Sequence, residues 1–228
     1  MSIILYGLPL SPFVRKADAC LREKGAEFEL ESVNIMPMPD WFKEISPARR
    51  IPVLRDTDHG KEGTPGTIPD SSAICAYLER KFPEPALVPA DPYACGRALW
   101  LEEYADTELI GQIGMGIFRP IMFARFQGKE PDVATAKKTY AEGLPRPLDY
   151  LENEIGDGEY FVGEALSLAD VSVACMIVQL ELVAGPLDAE RWPRLSALVE
   201  RLKARPSFGP TLAICQKVVT ADPIDLRG

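Results

Sequence analysis

Histidine is nearly absent: His59 is the only one in 228 residues, and it sits in the Gly-rich loop composition DTDHGKEGTPG. A single imidazole supplies neither a His-based metal cluster nor a Ser/His/Asp triad, so no metal is expected. Cations are also outnumbered, with 25 Lys and Arg against 34 Asp and Glu, a formal charge of −9. A duplex-binding face needs clustered cations, and no nucleic-acid partner is expected. Although 46% of the chain is hydrophobic, polar residues interrupt every apolar run before the roughly 18 residues of a membrane span. No membrane role is expected. The five cysteines (Cys20, Cys75, Cys95, Cys175, Cys215) are odd in number and contain no C-x-x-C pair, which suits reduced thiols rather than a disulfide framework. The opening MSIILYGLPLSP enters an apolar segment without the basic leader of an export signal, making cytoplasm the expected compartment.

What is present divides in character. Residues 3–6 (IILY) read as a buried strand, and Gly7-Leu8-Pro9-Leu10 turns the chain. Ser11-Pro12 then reads as an N-cap followed by proline at the first helical position, where its missing N–H breaks no bond. Phe13, Val14, Ala17 and Leu21 recur at helical spacing up to a stop at Gly25. Phe28 and Leu30 resume with period two, which completes a β-α-β unit. A short helix over 41–45, a strand at IPVL (51–54), a fourth strand within 55–69 and a helix over 71–82 follow. Four prolines in FPEPALVPADP mark a linker.

Beyond the linker the strand signals give way to helical ones over 93–110, 111–126, 134–155, 167–184 and 193–204, with Pro120 expected to kink the second. In SLADVSVACMIVQLEL, Ser167 followed by Asp170 has the spacing of a capping box, and the near-continuous apolarity marks the central helix of a bundle. The fold class is thus α/β plus all-α: residues 1–82 form a mixed four-stranded sheet with helices, 83–92 the linker, and 93–228 a helical bundle.

Three segments have the residue types for anion or peptide binding. Ser11 at a helix start is either an ordinary cap or a hydroxyl beside unpaired amides and the positive helix end. Ile51-Pro52 enters a strand, where a cis bond would expose backbone to a peptide-like ligand, with Arg49 and Arg50 beside it as solvated cations or a carboxylate clamp. Asp70-Ser71 opens a helix, either as a cap or as a receptor for an ammonium and a carboxylate.

Taken together, LYGLPLSPFVRKADACLREKGAEFEL, SPARRIPVL, PDSSAICAYLERKFP and SLADVSVA resemble the serine-type cytosolic glutathione transferases, tau- and theta-like at the amino terminus, over essentially the whole chain. The resemblance implies a thioredoxin-like first domain, glutathione as co-substrate and a homodimer. It implies that Ser11 donates a hydrogen bond to the glutathione sulfur and that Ile51 pairs its backbone with the tripeptide before a cis Pro52. Arg50 would hold the glycine carboxylate, and Asp70 and Ser71 the γ-glutamyl group. Arg50 stands where lysine or glutamine is usual and Asp70 where glutamate or glutamine is usual, and the loop lysine of several serine-type classes has no clear match. Tyr6 is the rival donor, or else a core residue. A small hydrophobic electrophile would meet Leu8 and Phe13 from one domain and Met115, Phe118, Arg119, Met122 and Phe123 from the other, unless these are bundle core. The other readings are a non-catalytic binding or regulatory module on the same scaffold, and a glutathione-dependent isomerase, dehalogenase or etherase.

Overall fold

In the computed structural model, which describes residues 2–227, the chain begins with β1 (Ile3–Tyr6), α1 (Pro12–Glu23) and β2 (Phe28–Glu31). It continues through α2 (Asp40–Ile45), β3 (Val53–Asp56), β4 (Thr67–Ile68) and α3 (Ser71–Lys81). The strands make one mixed sheet in the order β2-β1-β3-β4, with β1 parallel to β2 and antiparallel to β3, and β3 antiparallel to β4. Alternation divides its two faces. Tyr6 and Val53 pack with Val33 and with Phe42 and Ile45 of α2. Ile3, Leu5 and Leu54 are buried on the other face, the side of α1 and α3, which pack against each other.

The third strand begins later than the expected 51–54, at Val53, and runs on to Asp56. Pro52 has no N–H for the ladder, and the Ile51–Pro52 bond is cis. The first helix keeps its expected limits: Pro12 stands at its first position, and past Lys24 the chain turns at Gly25 with φ +62.

Contacts divide the chain into two units, residues up to 87 together with 206–214, and 88–205 together with 215 onward. The second unit is helical. The expected separate helices over 93–110 and 111–126 are one run: α4 (Pro92–Tyr104) passes unbroken into π-type winding over Ala105–Phe123 and closes with α5 (Ala124–Phe126). Pro120, expected to kink or interrupt a second helix, lies inside the π-type stretch, and the helical run continues through it. Gly116 allows close approach of the next helix, since a Cβ there would stand 2.5 Å from Thr139 Cγ2.

The expected helix 134–155 is divided into α6 (Val133–Lys138), a π-type turn over Thr139–Gly143, and α7 (Pro145–Ile155). Pro145 and Pro147 lack the donors that continuous winding needs. Then come α8 (Leu168–Ala184), α9 (Pro193–Lys203) and α10 (Gly209–Val218). Helix α8 is apolar all round and packs on the π-type stretch, α4 and α9. Each fully buried Val, Leu or Ile on it contributes roughly 1.5–3 kcal/mol of apolar burial. Its start is fastened by Asp170, whose carboxylate accepts from the Ser167 amide at 2.8 Å, the Ser167 hydroxyl at 2.6 Å and the Phe161 amide at 2.8 Å. Among the described residues no helix is long and apolar enough to cross a membrane.

Candidate functional site

The sheet brings three loop segments of the first unit to one end. The ladder pairs Tyr6, the last residue of β1, with Val53, the first of β3. The turn carrying Ser11 and the segment Arg50-Ile51-Pro52 therefore leave the sheet together. Gly7 shows how closely they pass: a Cβ there would stand 2.6 Å from Val14 Cγ2 and 3.4 Å from Ile51 Cβ. Ile68 of β4 pairs with Leu54, so Pro69 and Asp70 carry the start of α3 toward the same end. Lys16 of α1 donates to the Ser72 hydroxyl at 3.3 Å, tying the early turns of the two helices.

Ser11 is the N-cap of α1 in extended conformation, but its side chain makes no capping hydrogen bond. Its backbone does the local work, with the amide donating to Leu8 O at 2.9 Å and the carbonyl accepting from Arg15 N at 3.1 Å. The half-buried hydroxyl thus remains available at the positive end of α1. Arg15 is fully buried and donates through Nη1 to Pro9 O at 2.9 Å and Leu10 O at 3.3 Å, which pins the turn before Ser11.

Arg50 has an exposed side chain and a clamped backbone. The buried Ser46 hydroxyl donates to Arg50 O at 2.7 Å and accepts from Arg50 N at 2.9 Å. Arg49 adopts φ +54, the left-handed region, and this turns the chain into Arg50. Ser46 opens the SPARRIPVL segment, but only its two bonds to one residue mark its role. Periodicity carries no such signal.

Asp70 behaves differently from Ser11. Its carboxylate caps α3 by accepting from Ala73 N at 2.9 Å through Oδ1, while the residue stays exposed. Ser71, the first residue of the helix, is buried, and Ser72 is half-buried. An anion held here would meet amides that lack intrahelical partners.

Tyr6 lies in the core, 7% exposed and edge-on to Trp41 and Phe42 at centroid distances of 5.5 and 6.3 Å. Leu8 and Phe13 are half-buried in the first unit. In the second, Phe118 and Met122 are buried, whereas Met115 is exposed and Arg119 extends over it, with Nη1 3.9 Å from the Met115 sulfur and the guanidinium 5.2 Å from the Phe123 ring centroid. A cluster of charged and polar groups lies elsewhere. Asp56, at the far end of β3 from Pro52, takes bonds from Tyr77, Lys81 and the Asp58 amide. Burial opposes its ionisation, yet those donors outweigh it and bring its pKa down to about 2. A cavity of about 480 Å³ lined by Arg22, Gly25, Ala26, Glu27, Phe28, Pro206 and Ser207 contains none of the candidate residues. Its Arg22 is engaged by Asp18 at 2.6 Å.

The family description "Glutathione S-transferase, N-terminal domain" matches residues 5–86, and "Glutathione S-transferase, C-terminal domain" matches 116–208. The chain is 31% identical to Glutathione S-transferase 3 of Zea mays over 92% of each chain. It is 27% identical to FtsZ-localized protein A of Caulobacter vibrioides, over 92% of this chain and 90% of that one. A glutathione S-transferase structure from Rhodospirillum rubrum aligns with TM-score 0.82 and 28% identity, covering 92% of this chain and 91% of the other.

Proposed function

Because this chain belongs to the glutathione S-transferase family, we propose that it is a glutathione transferase in which Ser11 steadies the glutathione thiolate for attack on small hydrophobic electrophiles. The observation that carries this reading is the Ser11 hydroxyl, held at a helix start without a capping bond. Glutathione is the co-substrate and the nucleophile. Arg50 holds its glycine carboxylate, and the Ile51 backbone, unpaired in the sheet before Val53, pairs with its cysteinyl residue beside Pro52. Asp70 and Ser71 take the γ-glutamyl ammonium and carboxylate. Leu8 and Phe13, half-buried in the first unit, are the electrophile contacts of this reading. A second copy of the chain completes a homodimer.

The energetics are sufficient. A thiol of pKa ~8.5 is only about 3% ionised at pH 7, and lowering that pKa by two units takes ~2.7 kcal/mol of selective anion stabilisation. A hydrogen bond to a charged acceptor supplies roughly 1.5–3 kcal/mol, and a helix N-terminus about 0.3–1 more. Serine does not ionise in this scheme. It donates to the sulfur, the sulfur attacks the electrophilic carbon, and the leaving group departs with the bonding pair.

The 27% identity to a protein named for its localisation with FtsZ favours a second reading, a glutathione-binding module without turnover. One experiment separates the two: turnover of a chloronitroarene and glutathione affinity are measured for the wild type and Ser11→Ala. The transferase reading expects wild-type turnover that falls at least ~30-fold in the variant while binding holds within about threefold, the loss of one charge-assisted bond. Equal rates refute the role of Ser11, and wild-type binding without turnover supports the module.

A further inference from the structure

Two thiols lie together in the interior of the first unit, and the proposed chemistry uses neither. Cys75 of α3 places its Sγ 3.6 Å from the Sγ of Cys20 on α1, and both side chains are buried, 1% exposed for Cys20 and 5% for Cys75. They belong to a regular seam. Lys16 meets Ser72 one turn earlier, so positions 16 and 20 of α1 face positions 72 and 75 of α3. None of the five cysteines is disulfide-bonded.

We infer that Cys20 and Cys75 are a redox pair that a peroxide closes into an intramolecular disulfide. The balance is simple. One thiolate sulfur attacks a peroxide oxygen, the O–O bond breaks, and the products are a sulfenic acid and a hydroxide that takes up the proton released by the thiol to become water. The second thiolate then attacks the sulfenic sulfur, forming the S–S bond and expelling hydroxide, which takes up a proton as water. Two thiols and one hydrogen peroxide give one disulfide and two waters. Burial selects a small neutral oxidant that enters during local opening, rather than a bulky glutathione disulfide.

Closure has a mechanical consequence. The sulfurs must move from 3.6 Å apart to ~2.05 Å, an approach of about 1.5 Å. The helices that carry them begin at Ser11 and at Asp70-Ser71, so closure shifts one end of the tripeptide cradle against the other. This second part rests on the proposed glutathione site, and oxidation is expected to weaken glutathione binding.

The test treats the full chain with hydrogen peroxide, quenches it by alkylation and maps the peptides without reductant. A linked Cys20–Cys75 peptide, lighter by two hydrogens than its reduced parts, is expected. Its absence overturns the inference, whether the thiols stay alkylatable, reach the sulfinic acid singly or pair with other cysteines. Glutathione affinity is then compared between reduced and oxidised protein. A loss of about threefold or more that dithiothreitol reverses is expected in the wild type and not in Cys75→Ala or Cys20→Ser treated identically. Unchanged affinity in linked wild type overturns the coupling. Absence of binding in the reduced protein defeats the proposed glutathione site instead, and the peptide map reads the disulfide independently of it.

Discussion

The Ser46 hydroxyl bonds both backbone groups of Arg50, donating to the carbonyl at 2.7 Å and accepting from the amide at 2.9 Å. One small buried side chain thereby sets the path of the loop that leads into Ile51-Pro52. Ser46→Ala removes both bonds and leaves two backbone groups to find other partners. It is expected to lower stability by about 1–3 kcal/mol and to raise the KM for glutathione more than it lowers kcat. Urea denaturation and steady-state kinetics check this, and an unchanged KM removes Ser46 from the cradle.

The start of α8 depends on Asp170. Burial raises its pKa and the bonds from Ser167 and Phe161 pull it back. Asp170→Ala strands two amides and a hydroxyl, and a loss of about 2–4 kcal/mol is expected. Asp170→Asn keeps an acceptor and should lose less. Thermal unfolding of both variants tests the order, and a reversed order would mean that the carboxylate's buried charge outweighs its bonds.

Asp56 makes the fold acid-sensitive in a defined direction. Its pKa is lowered from 3.8 to about 2, so the unfolded chain takes up a proton that the native state refuses. The stabilisation is fully present above about pH 5 and is lost as pH falls from there toward 2. At neutral pH it amounts to about 2 kcal/mol. The stability gap between wild type and Asp56→Asn should therefore narrow as pH drops from 7 to 3. A gap independent of pH would dissociate the cluster from acid sensitivity.

Gly66 combines a left-handed backbone with crowded backbone neighbours. Its φ is +77, and a Cβ there would lie 2.6 Å from Asp56 O and 2.8 Å from Gly60 N. Its carbonyl accepts from Asp56 N at 2.8 Å, so the loop cannot swing away without giving up that bond. Gly66→Ala is expected to cost about 2–4 kcal/mol. A change below ~0.5 kcal/mol in calorimetry would show that the loop relaxes freely.

Local patterns made much of this legible. Pro12 after Ser11 and Gly25 after the apolar repeat predict α1 to within a residue or two, and Ser167 with Asp170 predicts the start of α8. The failures are non-local. The expected boundary between 110 and 111 is absent, because packing on α8 and on the π-type turn at 139–143 carries one helical run through it. Ser46 and the Cys20–Cys75 contact were unreadable because their partners are set by a loop path and a helix seam rather than by spacing along the chain.

The order of residues alone determined the element types, the change from sheet to helices, and the chemistry available at Ser11, Arg50 and Asp70-Ser71, because caps, proline and periodicity act within a few residues. Tertiary structure decided which polar groups remain for a ligand. Asp70 uses one carboxylate oxygen on its own helix while Ser11 makes no capping bond. A hydrogen bond is a distance and an angle between atoms, and pairing across the sheet is what brings the three loops to one end.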